Sequence, residues 1–191
     1  MSEWVIGVDE VGRGPLAGPV VTCAVLWPAD LVWEALDDSK KLSEKKRWAL
    51  LPGIRERAVE ISYGRAEADE IDAINILQAT LVAMERAVQG ISVCDCPVLI
   101  DGNRVPEALI DRGQSIVGGD GSVPAISAAS ILAKTARDEE MAAWAATYPG
   151  YGFEQHAGYP TKSHLEALDR LGITPIHRRS FGPVKQRMEA Q

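Results

Sequence analysis

The sequence predicts an α/β domain. Short β-branched apolar runs are interleaved with longer stretches of helical period, and three separate short strands each stop at a carboxylate. The first of these organises the chain. Trp4 to Val8 reads as a buried strand, and Asp9 and Glu10 appear where it should end. Successive side chains on a strand point to opposite faces. Two neighbouring acids there imply that the strand stops, or that a cation holds them. Gly12-Arg13-Gly14 and Pro15 follow at once. Glycine lets main chain approach a ligand closely, and an arginine between glycines suits a phosphate or carboxylate. Acids for a metal beside such a cradle point to phosphoryl transfer; the plainer reading is a turn with a solvated acid pair. The glycines are not a P-loop, because no Gly-Lys-Ser/Thr follows.

Gly18 to Trp27 is a second strand, expected antiparallel to the first, closed by Pro28-Ala29-Asp30. Ser43 is placed to cap a helix running to about Arg57. Val59 to Gly64 reads as a third strand, Ala66 to Ile71 as a short helix, and Asn75 as the cap of a longer one carrying Ile76, Leu77, Leu81, Met84 and Val88 at helical spacing. Pro97 to Ile100 repeats the opening theme, ending in Asp101-Gly102-Asn103. Ser115 to Val117 repeats it again, ending in Gly118-Gly119-Asp120. Neighbouring strands of an α/β sheet can bring such acids to one edge. Asp9, Glu10, Asp101 and Asp120 would then repel one another unless a divalent cation neutralises them, and oxygen-only ligands favour Mg²⁺ or Mn²⁺. Each acid alone is a common turn residue; the threefold recurrence raises the metal reading above that.

Helix is expected from about Ser127 to Tyr148, with Lys134, Arg137 and Asp138 able to share a face and most simply pairing with each other. Tyr151 to Thr161 reads as a loop whose rings either stack on a base or sugar or plug the core. Thr161 caps a helix through about Leu171, and a basic tail follows. No repeat or linker interrupts the chain. Residues 1–191 read as one domain, with a core over about 1–150 and a C-terminal helical part over about 151–191.

The net charge of -7 argues against a general nucleic-acid binder. Two local basic clusters, Lys40 to Arg47 and His177 to Arg187, would still permit a polyanion. No apolar run is long enough for a membrane span, and no signal peptide is legible. Three cysteines without a metal pattern fit a reducing compartment, so the cytoplasm is expected. A monomer is expected, and Gln186 to Gln191 carries no legible partner motif.

Six separated motifs then resemble one family, ribonuclease HII, and look most like its bacterial members. They are Asp9-Glu10-Val11-Gly12-Arg13-Gly14-Pro15, Asp38-Ser39-Lys40-Lys41-Leu42, Asp101-Gly102-Asn103, Ser127 through Lys134, Gly158-Tyr159-Pro160-Thr161, and Arg178 through Val184. The resemblance implies an RNase H-like fold: a central mixed five-stranded sheet flanked by helices, with a C-terminal helical extension. It implies a metal-dependent endonuclease that cuts the RNA strand of RNA–DNA hybrids and incises DNA duplexes containing ribonucleotides, leaving 5′-phosphate and 3′-hydroxyl ends. By motif, Asp9, Glu10, Asp101 and Asp120 would hold two Mg²⁺ or Mn²⁺ ions. Gly12, Arg13 and Gly14 would read the 2′-hydroxyl, and Tyr159 would stack on the sugar beyond the junction. Lys40, Lys134 or Arg179 could hold a backbone phosphate, a contact that positions without specifying.

One departure stands out. Many relatives have Lys-Gly-Asp where this chain has Gly118-Gly119-Asp120, and the missing charge is expected to weaken phosphate binding modestly and steepen the metal dependence. Two other readings stay open: a Mg²⁺-dependent nuclease without 2′-hydroxyl discrimination, and a catalytically silent nucleic-acid-binding relative. Intact acids at all four positions argue against the silent relative.

Overall fold

A computed structural model describes residues 3–37, 39–92 and 95–189. Asp38 of the Asp38–Leu42 motif and Cys94, one of the three cysteines, lie outside the described residues. Five strands form one mixed sheet: β1 (Trp4–Val11), β2 (Val20–Pro28), β3 (Glu60–Ala66), β4 (Val98–Asp101) and β5 (Gly113–Ile116), in the order β3-β2-β1-β4-β5. The first three are antiparallel neighbours, whereas β1, β4 and β5 run parallel. This is the fold class expected.

Helix α1 (Glu44–Arg57) and α3 (Pro124–Thr147) cover one face, and α2 (Ala68–Gln89) covers the other. The alternation along β1 and β2 decides which side each residue serves. Cys23, Val25 and Trp27 pack with α1 and α3, while Ile6, Val8, Ala24 and Leu26 pack with Met84, Ala87 and Val88 of α2. A further apolar cluster joins Leu16, Met141, Tyr151, Phe153, Leu168 and Val184, seating α4 (Phe153–His156), α5 (Lys162–Leu171) and α6 (Gly182–Glu189) against the end of α3.

Local capping chemistry fixes the helix starts. The Ser43 and Thr161 side chains accept from the amides of Lys46 and His164. Asn75 sits inside α2 with non-helical backbone, and its side chain accepts from Leu77 and Gln78, so a second helical segment starts there as expected. Other boundaries differ. Helix α3 begins at Pro124 rather than Ser127, because proline at the first turn needs no hydrogen-bond partner. The stretch from Tyr151 to Thr161 contains the short helix α4, and Tyr151 and Phe153 plug the core while Tyr159 stays partly exposed. The basic tail carries α6.

Gly7 allows α3 to sit hard against β1. A Cβ there would lie 2.2 Å from the Ala125 carbonyl carbon. Gly7→Ala is therefore expected to destabilise the fold by about 2–3 kcal/mol, read as a lower urea midpoint with an unchanged m-value.

Candidate active site

Parallel strands end at the same edge of a sheet, and this brings the acids together. Val8 of β1 pairs with Ile100 of β4, so Asp9 and Asp101 follow side by side, and Asp120 lies in a 3₁₀ turn just beyond β5. Among the described residues, one carboxylate oxygen each of Asp9, Asp101 and Asp120 lies within 4.8 Å of the others. Glu10 is not in that group. It and Asp9 do not end their strand, contrary to expectation: both lie within β1, paired with Thr22 and Cys23, and β1 continues to Val11. Alternation then turns Asp9 toward α3 and Glu10 toward the α2 side, where it lines a small cleft with Arg13, Thr80, Met84, Asp101 and Asn103. By contrast β5, expected to run to Val117, ends at Ile116, four residues before Asp120.

The acids sit in a setting that disfavours their charge. Burial pushes the Asp9 carboxyl well above the usual carboxylate range, and the Glu10 and Asp101 charges add to it; Ser130, which hydrogen-bonds Asp9, opposes. Burial also raises Glu10, partly offset by Arg13, whose guanidinium is 3.4 Å away. The Asp120 amide donates to Asp101 at 3.3 Å, and Ser127 of α3 donates to the Asp120 carbonyl at 2.6 Å, so α3 fixes the turn that carries Asp120. Lys40 brings its ammonium to 3.6 Å from Asp120. An all-oxygen cluster of like charges fits a hard divalent cation.

The turn after β1 is held from beneath by two arginines that the sequence reading did not assign. Arg178 is fully buried and donates to the carbonyls of Gly12, Arg13 and Gly18. Arg137, expected to share a face with Lys134 and Asp138, instead turns inward and donates to Ala17, Pro19 and Ala157. Gly12 is needed over them, since its φ is +94° and a Cβ would meet the Arg137 Nε at 2.3 Å. Their signal in the sequence was weak, because the bonds run to backbone groups that carry no residue identity.

The remaining expected residues are spread around this turn. The Tyr159 ring borders Gly14, at 3.5 Å from where a Cβ would stand. Lys134 pairs with Asp138 at 2.6 Å and shares with Tyr159 a cleft of about 520 Å³. Arg179 is exposed, its amide donating to Asp72 at 2.8 Å, and the structure records no contact between it and the acids. Gly118 adopts a φ of +71° with open space around it. Gly118→Lys, which restores the charge of many relatives, is thus expected to cost about 1 kcal/mol of backbone strain and to lower substrate KM modestly. A melting curve and initial rates check both; an unchanged KM would count against the missing charge mattering.

Solved structures share this fold along nearly the whole chain. The ribonuclease H2 of Pyrococcus horikoshii OT3 superimposes with a TM-score of 0.80 at 23% identity, covering 98% of each chain. The RNase HII of Archaeoglobus fulgidus, solved in a PCNA complex, gives 0.78 at 23% identity over 93% of this chain and 95% of that one. A Bst RNase HIII solved with Mn²⁺ gives 0.72 at 17% identity over 99% of this chain and 70% of that one. Sheet order and acid edge are thus those of a ribonuclease H fold, and with the family match over residues 6–184 they define the class, a ribonuclease H endonuclease whose acidic cluster suits metal-dependent catalysis. The family model for ribonuclease HII matches residues 6–184, and the chain belongs to that family.

Proposed function

We propose that this ribonuclease H cuts the RNA strand of RNA–DNA hybrids and incises on the 5′ side of a ribonucleotide embedded in duplex DNA, leaving 5′-phosphate and 3′-hydroxyl ends. Its cellular task is then removal of misincorporated ribonucleotides. The observation that carries this reading is a carboxylate cluster within 4.8 Å whose Asp9 runs on, three residues later, into a glycine turn bordered by Tyr159.

Asp9, Glu10, Asp101 and Asp120 would hold two Mg²⁺ or Mn²⁺ ions. Such ions, when bound, activate a water and stabilise the leaving 3′-oxygen. The rest is done by the chain itself. Arg178 draws the carbonyls of Gly12 and Arg13 inward. Among the described residues no peptide bond is cis, so the amides of Arg13 and Gly14, across those same peptides, face away from the guanidinium. Two aligned N–H groups with no bulky side chain between them suit a 2′-hydroxyl, the group that separates RNA from DNA. Tyr159 would stack on the next sugar, and Lys40, which lies beside Asp120, or else Lys134 or Arg179, would hold a backbone phosphate. No described helix is long and apolar enough to cross a membrane, and Cys23 and Cys96 are buried thiols, which agrees with a cytoplasmic setting.

A hybrid labelled on each strand tests the reading. Cleavage confined to the RNA strand, with 3′-hydroxyl ends and only with divalent metal, is the expected result. Cutting of the DNA strand, or cyclic-phosphate ends, would contradict it.

A further inference from the structure

The chain has three histidines, and all of them cluster beneath the Tyr159 loop, outside the acid site. His156 and His164 stack with centroids 4.6 Å apart, and the His177 ring lies 5.3 Å from that of His164. Groups with fixed roles determine where their protons sit, since a backbone N–H only donates and a carbonyl only accepts. The Thr174 amide donates to His177 Nδ1 at 2.9 Å, so His177 carries its proton on Nε2. That proton faces His164 Nε2 at 3.1 Å, which must accept. His164 is then protonated on Nδ1 and donates to the Tyr159 carbonyl at 3.0 Å. The Gly158 amide donates to His156 Nδ1 at 3.2 Å, leaving His156 Nε2 to donate to the Tyr151 carbonyl at 2.9 Å. One set of neutral tautomers satisfies every bond, and an added proton on His164 or His177 sets two donors face to face.

The loop needs such a hold. Ala157 and Gly158 both adopt left-handed backbone, with φ of 47° and 82°, and left-handed alanine is disfavoured. Gly158 in turn accepts from Leu16, whose carbonyl accepts from Arg178, so the same loop is tied to the glycine turn.

We propose that the histidines form an oriented, uncharged relay that positions Tyr159 for substrate, and that adding a proton to the relay releases it. This rests on the reading of Tyr159 as a sugar contact. The groups facing the pair oppose a further charge: the His156 ring from α4 and the Arg187 guanidinium from α6, itself paired with Asp169 of α5; the rings of Tyr151 and Phe153 add bulk without charge. Burial lowers both His164 and His177 to about 4, helped at His164 by His156 and Arg187 and at His177 by His164. Because these values fall below the ordinary 6.5, the hold is fully present above about pH 6.5 and is lost as pH falls through about 4.

Nitrogen NMR of the histidine rings tests the relay without any variant. Neutral rings at pH 7 with protons on Nε2 of His156 and His177 and on Nδ1 of His164 are expected, with the Tyr159 amide signal shifting at the same acid midpoint as His164. Any other tautomer set, or a charged ring at pH 7, overturns the relay. Kinetics on a single-ribonucleotide duplex test its purpose. His164→Leu is expected to raise KM about tenfold with kcat nearly unchanged, a size within the range of one lost stacking contact. His164→Asn, which keeps a donor toward the Tyr159 carbonyl, should restore KM and remove the acid shift of the Tyr159 signal. In a Tyr159→Ala background, His164→Leu should add nothing. An unchanged KM in Tyr159→Ala alone would defeat the sugar-contact reading, whereas a full second penalty from His164→Leu would defeat the relay while leaving that reading intact.

Discussion

Replacing Asp9 with asparagine is expected to lower kcat on the order of 10³-fold and, in EDTA, to raise the melting temperature by about 3 °C. The two effects have one cause. Asp9 is 4% exposed, and its carboxylate is held against burial and the charges of Glu10 and Asp101. Asparagine keeps an oxygen for the Glu10 amide, which Asp9 now accepts at 2.7 Å, and so preserves the local shape of β1. What it removes is the charge, which destabilises the fold without metal and is required with it. Sites of this kind trade stability for function. Single-turnover cleavage and calorimetry in EDTA measure the two halves; a variant that melts higher yet turns over normally would remove Asp9 from the metal mechanism.

Arg178→Met is the second large effect. The guanidinium makes four bonds to the carbonyls of Gly12, Arg13 and Gly18, and among the described residues no carboxylate is hydrogen-bonded to it. Methionine fills much of the volume but leaves those buried oxygens unpaired. The expected loss is about 3–5 kcal/mol, a fall in melting temperature on the order of 10 °C. Lysine keeps the charge and one direction of donation, so it should recover only part of the loss. The same substitution frees the peptide planes of Gly12 and Arg13. Discrimination between a ribonucleotide and a deoxynucleotide should therefore fall further than the rate on a long hybrid, as paired initial rates on the two substrates would show.

These two residues mark what could and could not be read in advance. Asp9, Asp101 and Asp120 were legible because each comes at or shortly after the end of a short apolar run in the sequence, and parallel strands carry their ends to one edge. Ser43, Asn75 and Thr161 were legible because a cap is a contact within three residues. Arg178 and Arg137 were not, because their partners are carbonyls more than a hundred residues away for most of their bonds. The basic run from His177 to Arg187 read as one cluster open to a polyanion, yet His177 and Arg178 are buried and Arg179 is exposed. Only the tertiary fold separates them. The separation of Asp9 from Glu10 was within reach, since alternation along an uninterrupted strand requires it; the error lay in ending the strand at the acids. Cross-strand pairing to Cys23 and Thr22 carries β1 past them.

Cleavage of a labelled DNA duplex with one internal ribonucleotide, in Mg²⁺, Mn²⁺ or EDTA and beside an all-DNA control, tests the central claim most directly. A single cut on the 5′ side of the ribonucleotide, with metal only, is the predicted result. A control cut at a comparable rate would contradict the 2′-hydroxyl reading by Gly12, Arg13 and Gly14, and turnover in EDTA would contradict the carboxylate site.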